Sequence, residues 1–230
     1  MVFGYAKLRQ RELARSVFDS MADKDLVAWS VMISSYADSD QPTEALKLFN
    51  EMQIFGMRPD QITMLSVISA CANLGTLDQA QWFQVYVDKN GFNRVLSVNN
   101  ALIDMFLKCR SLMTARNFFN EMPKRNAISW TAMITGFAMH GEGTAALVLF
   151  DQMKVEGLDP NNVIFIGLLY ACSHSGLVGQ GRRVFESMSL DFGIESEQQH
   201  FGYMVNLFGC AKLCKKQLIS STQCPFNRMW

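Results

Sequence analysis

The chain has 230 residues, 49% of them apolar, which is enough for a substantial core, and no Pro/Gly/Ser-rich linker divides it. Lysine plus arginine and aspartate plus glutamate number 21 each, so net charge alone advertises no nucleic-acid partner, and any electrostatic attraction must come from how charges are arranged. No apolar run approaches the ~18 residues of a membrane span, and the opening MVFGYAKLRQRELARS carries no targeting signal and reads like the inside of a repeat.

Taken in chain order, residues 1–25 are echoed by 102–126, with Ala14 and Arg15 against Ala115 and Arg116, Phe18 against Phe119, and Met21 against Met122. The strongest echo follows. Leu26 to Asp60 recurs 101 residues later as Ala127 to Asn161, pairing Trp29 with Trp130, Ile33 with Ile134, Phe49 with Phe150, Gly56 with Gly157 and Pro59 with Pro160. Each copy reads as two short antiparallel helices. Trp130, Met133, Ile134 and Phe137 stand at helical spacing around Trp130 to Met139, and a break at His140 to Gly143 ends that helix. A second helix, Thr144 to Glu156, presents Ala146, Leu147, Phe150 and Met153 and stops at Gly157, with Pro160 three residues on. Residues 61–95 match 162–197 in the same way, so units of 35, 35 and 31 residues compose the period. One hairpin cannot bury its apolar face alone, whereas stacked neighbours can, and the expected fold is an all-α solenoid of about six hairpins.

Cysteine and histidine suggest no chemistry. Cys71 and Cys172 sit at equivalent places and read as small core residues. Cys210, Cys214, Cys224 and His200 form the one conceivable metal cluster, but no zinc-ligand spacing is present, so neither metal nor other cofactor is expected. His140, His174 and His200 read as surface residues without a catalytic partner. Trp29 and Trp130 read as core, not as stacking platforms.

The strings LSVNNALIDMFLKCRSLMTARNFFNEMPKRN at 96–126, AISWTAMI after it, LLYACSHSGLVGQGRRVFESMSLDFGI and QQHFGYMVNLFGCAKL resemble the pentatricopeptide repeat family, in its plant-type subclass of alternating ordinary (P), long (L) and short (S) units. The resemblance divides the chain into a partial S unit at 1–25, P at 26–60, L at 61–95, S at 96–126, P at 127–161, L at 162–197 and a partial S at 198–219. Residues 220–230 form an irregular tail, and the text after Leu213 fits no extension motif of the subclass, which reads as truncation at both ends. The family fold implied is a right-handed α-solenoid of helix-turn-helix repeats.

The same resemblance implies single-stranded RNA as partner, about one base per unit. The fifth and last residues of a unit would choose the base: Ser30 with Asp60 for G, Asn100 with Asn126 for a pyrimidine, and Thr131 with Asn161 for A. Short hydroxyl and amide side chains can reach a base edge, whereas Leu65, Ile166 and Gly202 at the fifth position of other units cannot hydrogen-bond to one. The second residues Val27, Ile62, Ile128 and Val163 resemble wedges packed between bases, with ordinary helix packing as an equal alternative; Ser97 holds the same place in its unit. Lys7 and Lys108 stand where the family contacts phosphate, and Asp38, Asn73, Met139 and His174 replace lysine elsewhere. Relatives serve RNA editing or processing in mitochondrion or chloroplast, with a deaminase supplied by partner factors. No enzyme activity, membrane or small-molecule substrate is implied. The rival readings are a tetratricopeptide-like protein scaffold and a gene fragment without function.

Overall fold

The computed structural model describes residues 4–5, 10–39 and 41–210. Twelve α-helices of ten residues or more, and no strand, occur among them: α1 Arg11–Ser20, α2 Leu26–Ala37, α3 Pro42–Ile54, α4 Gln61–Leu74, α5 Leu77–Lys89, α6 Leu96–Lys108, α7 Leu112–Glu121, α8 Ala127–Met139, α9 Gly143–Val155, α10 Asn162–His174, α11 Val178–Leu190 and α12 Gln198–Cys210. The chain divides into two compact units at Lys124 and Arg125. In the first, α2 packs on α3 and α4, and α4 on α6; in the second, α8 packs on α9 and α10, and α10 on α12.

Four helices, α2, α4, α8 and α10, start where a side chain satisfies a first-turn amide. Asp25 accepts from Ala28 N at 2.8 Å, Asp60 from Thr63 N at 2.8 Å, Asn126 from Ser129 N at 3.0 Å and Asn161 from Ile164 N at 3.0 Å. Each is a polar acceptor on extended backbone, the arrangement a helix N-terminus favours. α8 therefore begins at Ala127, earlier than the apolar periodicity from Trp130 indicates, because capping rather than hydrophobic spacing sets its start. Termination follows the expected signal. Gly56 and Gly157 adopt φ of +72° and +73°, and the residues after them return bonds from Met57 N to Met52 O and Leu158 N to Met153 O.

Burial separates two kinds of helix. α3 carries one apolar stripe, Ala45, Leu48, Phe49 and Met52. α2 is covered on more sides, burying Ala28, Trp29, Ser30, Met32, Ile33, Tyr36 and Ala37, because it has a partner within its hairpin and another in the next. Trp29 and Trp130 are each 1% exposed. Trp29 meets Phe18 edge-on at 4.8 Å, and the Arg125 guanidinium lies 5.8 Å from the Trp130 ring.

Candidate functional site

The leading ends of α2, α4, α8 and α10 share a feature: Val27 is 64% exposed, Ile62 61%, Ile128 63% and Val163 51%. These four side chains therefore lie in solvent and not in the packed core. Each stands two residues after a capping Asp or Asn, so a β-branched wall and a polar side chain occupy one edge of each helix pair. Ser97, at the same register of α6, accepts instead from Gln61 Nε2 at 3.0 Å.

The polar pairs differ in construction. Ser30 is 7% exposed; its hydroxyl lies 2.8 Å from Leu26 O and 2.7 Å from Thr63 Oγ1. Thr63 Oγ1 in turn donates to Asp60 Oδ1 at 2.7 Å. Ser30 and Asp60, thirty residues apart in sequence, are thus joined through one buried hydroxyl. In the second unit Thr131 donates only to Ala127 O, at 2.7 Å, and the residue corresponding to Thr63 is the buried aliphatic Ile164. Asn161 is exposed and uses Oδ1 for the cap. Asn126 makes a capping box with Ser129, whose hydroxyl donates to Asn126 Oδ1 at 3.0 Å. Asn100 is half-buried on α6, and Asn126 heads α8 in the other unit.

Sequence reasoning missed Thr63 and Ser129, the third residues of their units. Hydroxyl side chains there, three residues after an Asp or Asn, were the available signal.

The cations are less free than expected. Lys108 is half exposed but pairs with Asp104, one turn back on its own helix, at 2.9 Å. Lys7 lies outside the described residues, as do Cys214, Cys224, the 220–230 tail and most of the opening segment. His200 corrects the expectation of a surface histidine. It is 0% exposed, and its Nδ1 accepts from Glu197 N at 3.0 Å at the start of α12. His174 is exposed, and its ring lies 4.1 Å from that of Tyr170. Burial pushes the Cys71 thiol up to about 12 and the Cys172 thiol up to about 11, so neither offers a thiolate near neutral pH. Among the described residues no cluster of His, Cys, Asp or Glu could hold a metal ion, and no helix is long and apolar enough to cross a membrane.

Two spans, 24–73 and 125–174, match the PPR repeat family, and 100–126 matches the PPR repeat. The chain belongs to the pentatricopeptide repeat family. A pentatricopeptide repeat-containing protein of Arabidopsis thaliana is 50% identical over 79% of this chain and 25% of its own length. Two more from that plant, one named chloroplastic and one mitochondrial, are 39% and 40% identical over 92% and 90% of the chain and 29% and 32% of their own lengths. The chain thus spans about a quarter to a third of these relatives. The crystal structure of the pentatricopeptide repeat protein PPR10 from maize matches with a TM-score of 0.74 at 22% identity, over 95% of this chain and 32% of that one. PPR10 in complex with an 18-nt psaJ RNA element matches with a TM-score of 0.69 at 18% identity, over 84% and 30%. At such identities the likeness concerns the fold: all-helical hairpin repeats.

Proposed function

We propose that this chain is a sequence-selective single-stranded RNA-binding module of organellar RNA metabolism, built from alternating P, L and S repeats with the boundaries given above, and without catalytic machinery of its own. The observation that carries the reading is the row of exposed aliphatic side chains, Val27 and Ile62 in one unit and Ile128 and Val163 in the other, each beside a polar cap. Exposed β-branched residues cost solvation unless a flat apolar face covers them, and an unstacked base supplies one. Ser30 with Asp60, Asn100 with Asn126, and Thr131 with Asn161 are the base-choosing pairs. Lys108 and Lys7 are the phosphate contacts, and a partner factor would supply any deaminase. Chloroplastic and mitochondrial relatives support an organellar setting.

Selection from a randomised single-stranded RNA pool tests this. Thr131→Asn combined with Asn161→Asp is expected to move one nucleotide of the enriched site from A toward U and leave the others unchanged. Enrichment of no sequence, or an unchanged site in the double variant, would sink the reading.

A groove of about 340 Å³ between α3 and α5, lined by Leu46, Phe49, Asn50, Gln79, Trp82 and Phe83, favours a protein-scaffold role as the second reading. Trp82 is half exposed there and stacks on Tyr86 at 5.1 Å. Its counterpart in the second unit is Arg183, so the exposed aromatic wall is not repeated there.

A further inference from the structure

Three oxygen contacts meet at Ser30 and Thr63, and only two hydroxyl protons are present to fill them. Ser30 Oγ lies 2.8 Å from Leu26 O and 2.7 Å from Thr63 Oγ1, and Thr63 Oγ1 lies 2.7 Å from Asp60 Oδ1. The carboxylate accepts but cannot donate, and a charged acceptor makes the stronger bond, so it takes the Thr63 proton. With the Thr63 proton on Asp60, the Ser30 proton has two inward acceptors, Leu26 O at 2.8 Å and Thr63 Oγ1 at 2.7 Å, and is held between them. Outward, Ser30 can offer only lone pairs. Asp60 spends Oδ1 on the cap and on Thr63, which leaves Oδ2 as a second acceptor.

We infer that Thr63, which belongs to the following repeat and is fully buried, is the specificity-positioning residue of the 26–60 reader. It locks Ser30 as a pure acceptor and holds Asp60 beside it. Two fixed acceptors match the base edge that presents adjacent donors, the N1–H and N2–H₂ of guanine. The edges of adenine, cytosine and uracil each place an acceptor where one of these donors would be. Thr131 has no such lock, because Ile164 brings no hydroxyl and Ala127 O alone takes its proton. With that proton inward Thr131 offers an acceptor, and beside the amide donor of Asn161 the pair complements a base donor next to a base acceptor, as N6–H₂ and N1 of adenine present.

This inference rests on the RNA-binding reading, and the test separates the two. Thr63→Val keeps the side-chain shape and removes the hydroxyl, while Thr63→Ser keeps the hydroxyl and removes a methyl. Both are measured for binding to single-stranded RNAs taken from the wild-type selection, with all four bases placed at the nucleotide whose preference Ser30→Ala abolishes. Thr63→Val should lower discrimination for G by about five- to tenfold, the worth of one hydrogen bond. Thr63→Ser should retain it, and A discrimination at the 127–161 unit should hold in both. A second arm does not depend on the folding of Thr63 variants: Ile164→Thr added to Asn161→Asp should sharpen G discrimination at that unit over Asn161→Asp alone. Full G discrimination in Thr63→Val, or loss in Thr63→Ser with retention in Thr63→Val, overturns the lock and leaves RNA binding intact. No RNA enrichment by the wild type overturns both.

Discussion

The seam between α2 and α4 and its counterpart 101 residues later, between α8 and α10, have equivalent helices and core tryptophans, yet opposite chemistry. The first is stitched by hydroxyls: Ser30 to Thr63 at 2.7 Å and Ser34 to Ser66 at 2.6 Å. In the second, Ile164 replaces Thr63 and Gly167 replaces Ser66. Thr135 turns its hydroxyl back to Thr131 O at 2.7 Å, and its methyl faces the glycine. Two copies of one unit can therefore keep a backbone while exchanging hydrogen bonding for close approach. The core fixes the stacking, and the seam is free to vary.

The comparison yields expectations that differ in size. Trp29→Ala and Trp130→Ala should be the largest and should be similar, about 3–5 kcal/mol each by urea denaturation followed by circular dichroism, because both rings are buried in equivalent cores. Unequal losses would mean that the copies are not equivalent in packing.

Gly167→Ala and Ser66→Ala should then separate the seams. An added Cβ at Gly167 would lie 2.7 Å from Thr135 Cγ2, on a side chain held by its hydroxyl bond, and the displacement should cost about 1–3 kcal/mol. Ser66→Ala removes one inter-helix hydroxyl bond and should cost about 0.5–1.5 kcal/mol. A neutral Gly167→Ala would show the second seam to be loosely packed.

The caps sharpen the contrast. Asp60→Ala loses an amide bond and the Thr63 hydroxyl bond, whereas Asn161→Ala loses only the amide bond. Both should destabilise by about 1 kcal/mol, with Asp60→Ala the worse, in thermal melts of the single variants. Equal melting temperatures would remove the Thr63 bond from the accounting.

Lys108→Ala should be smallest for the fold. Its exposed pair with Asp104 contributes about 0.3–0.5 kcal/mol at most, while RNA affinity should fall alike for every sequence and the log–log salt slope should shrink by about 0.7. A sequence-dependent loss would make Lys108 a reader instead of a phosphate contact.

Much of this protein was legible in its residues because the repeat is dictated locally. The 101-residue echo, apolar spacing, Asp or Asn before α2, α4, α8 and α10, and Gly56 and Gly157 after α3 and α9 act within a turn or two of chain, so hairpins follow from sequence alone. The fifth and last residues were named through the family resemblance, and counting along a unit then located them. Counting could not say whether Val27 and Ile128 were buried, since a β-branched side chain at a helix start suits either environment, and only the stacking of neighbouring helices left them in solvent. Nor could it place Thr63 between Ser30 and Asp60, return Lys108 to Asp104, or bury His200 at a helix start. The Thr63 bridge joins residues more than thirty positions apart across a seam, and the other two depend on which rotamer the packed surroundings permit. Periodicity along one chain carries neither kind of information, because hydrogen bonding and exposure are decided by what the next repeat brings against it.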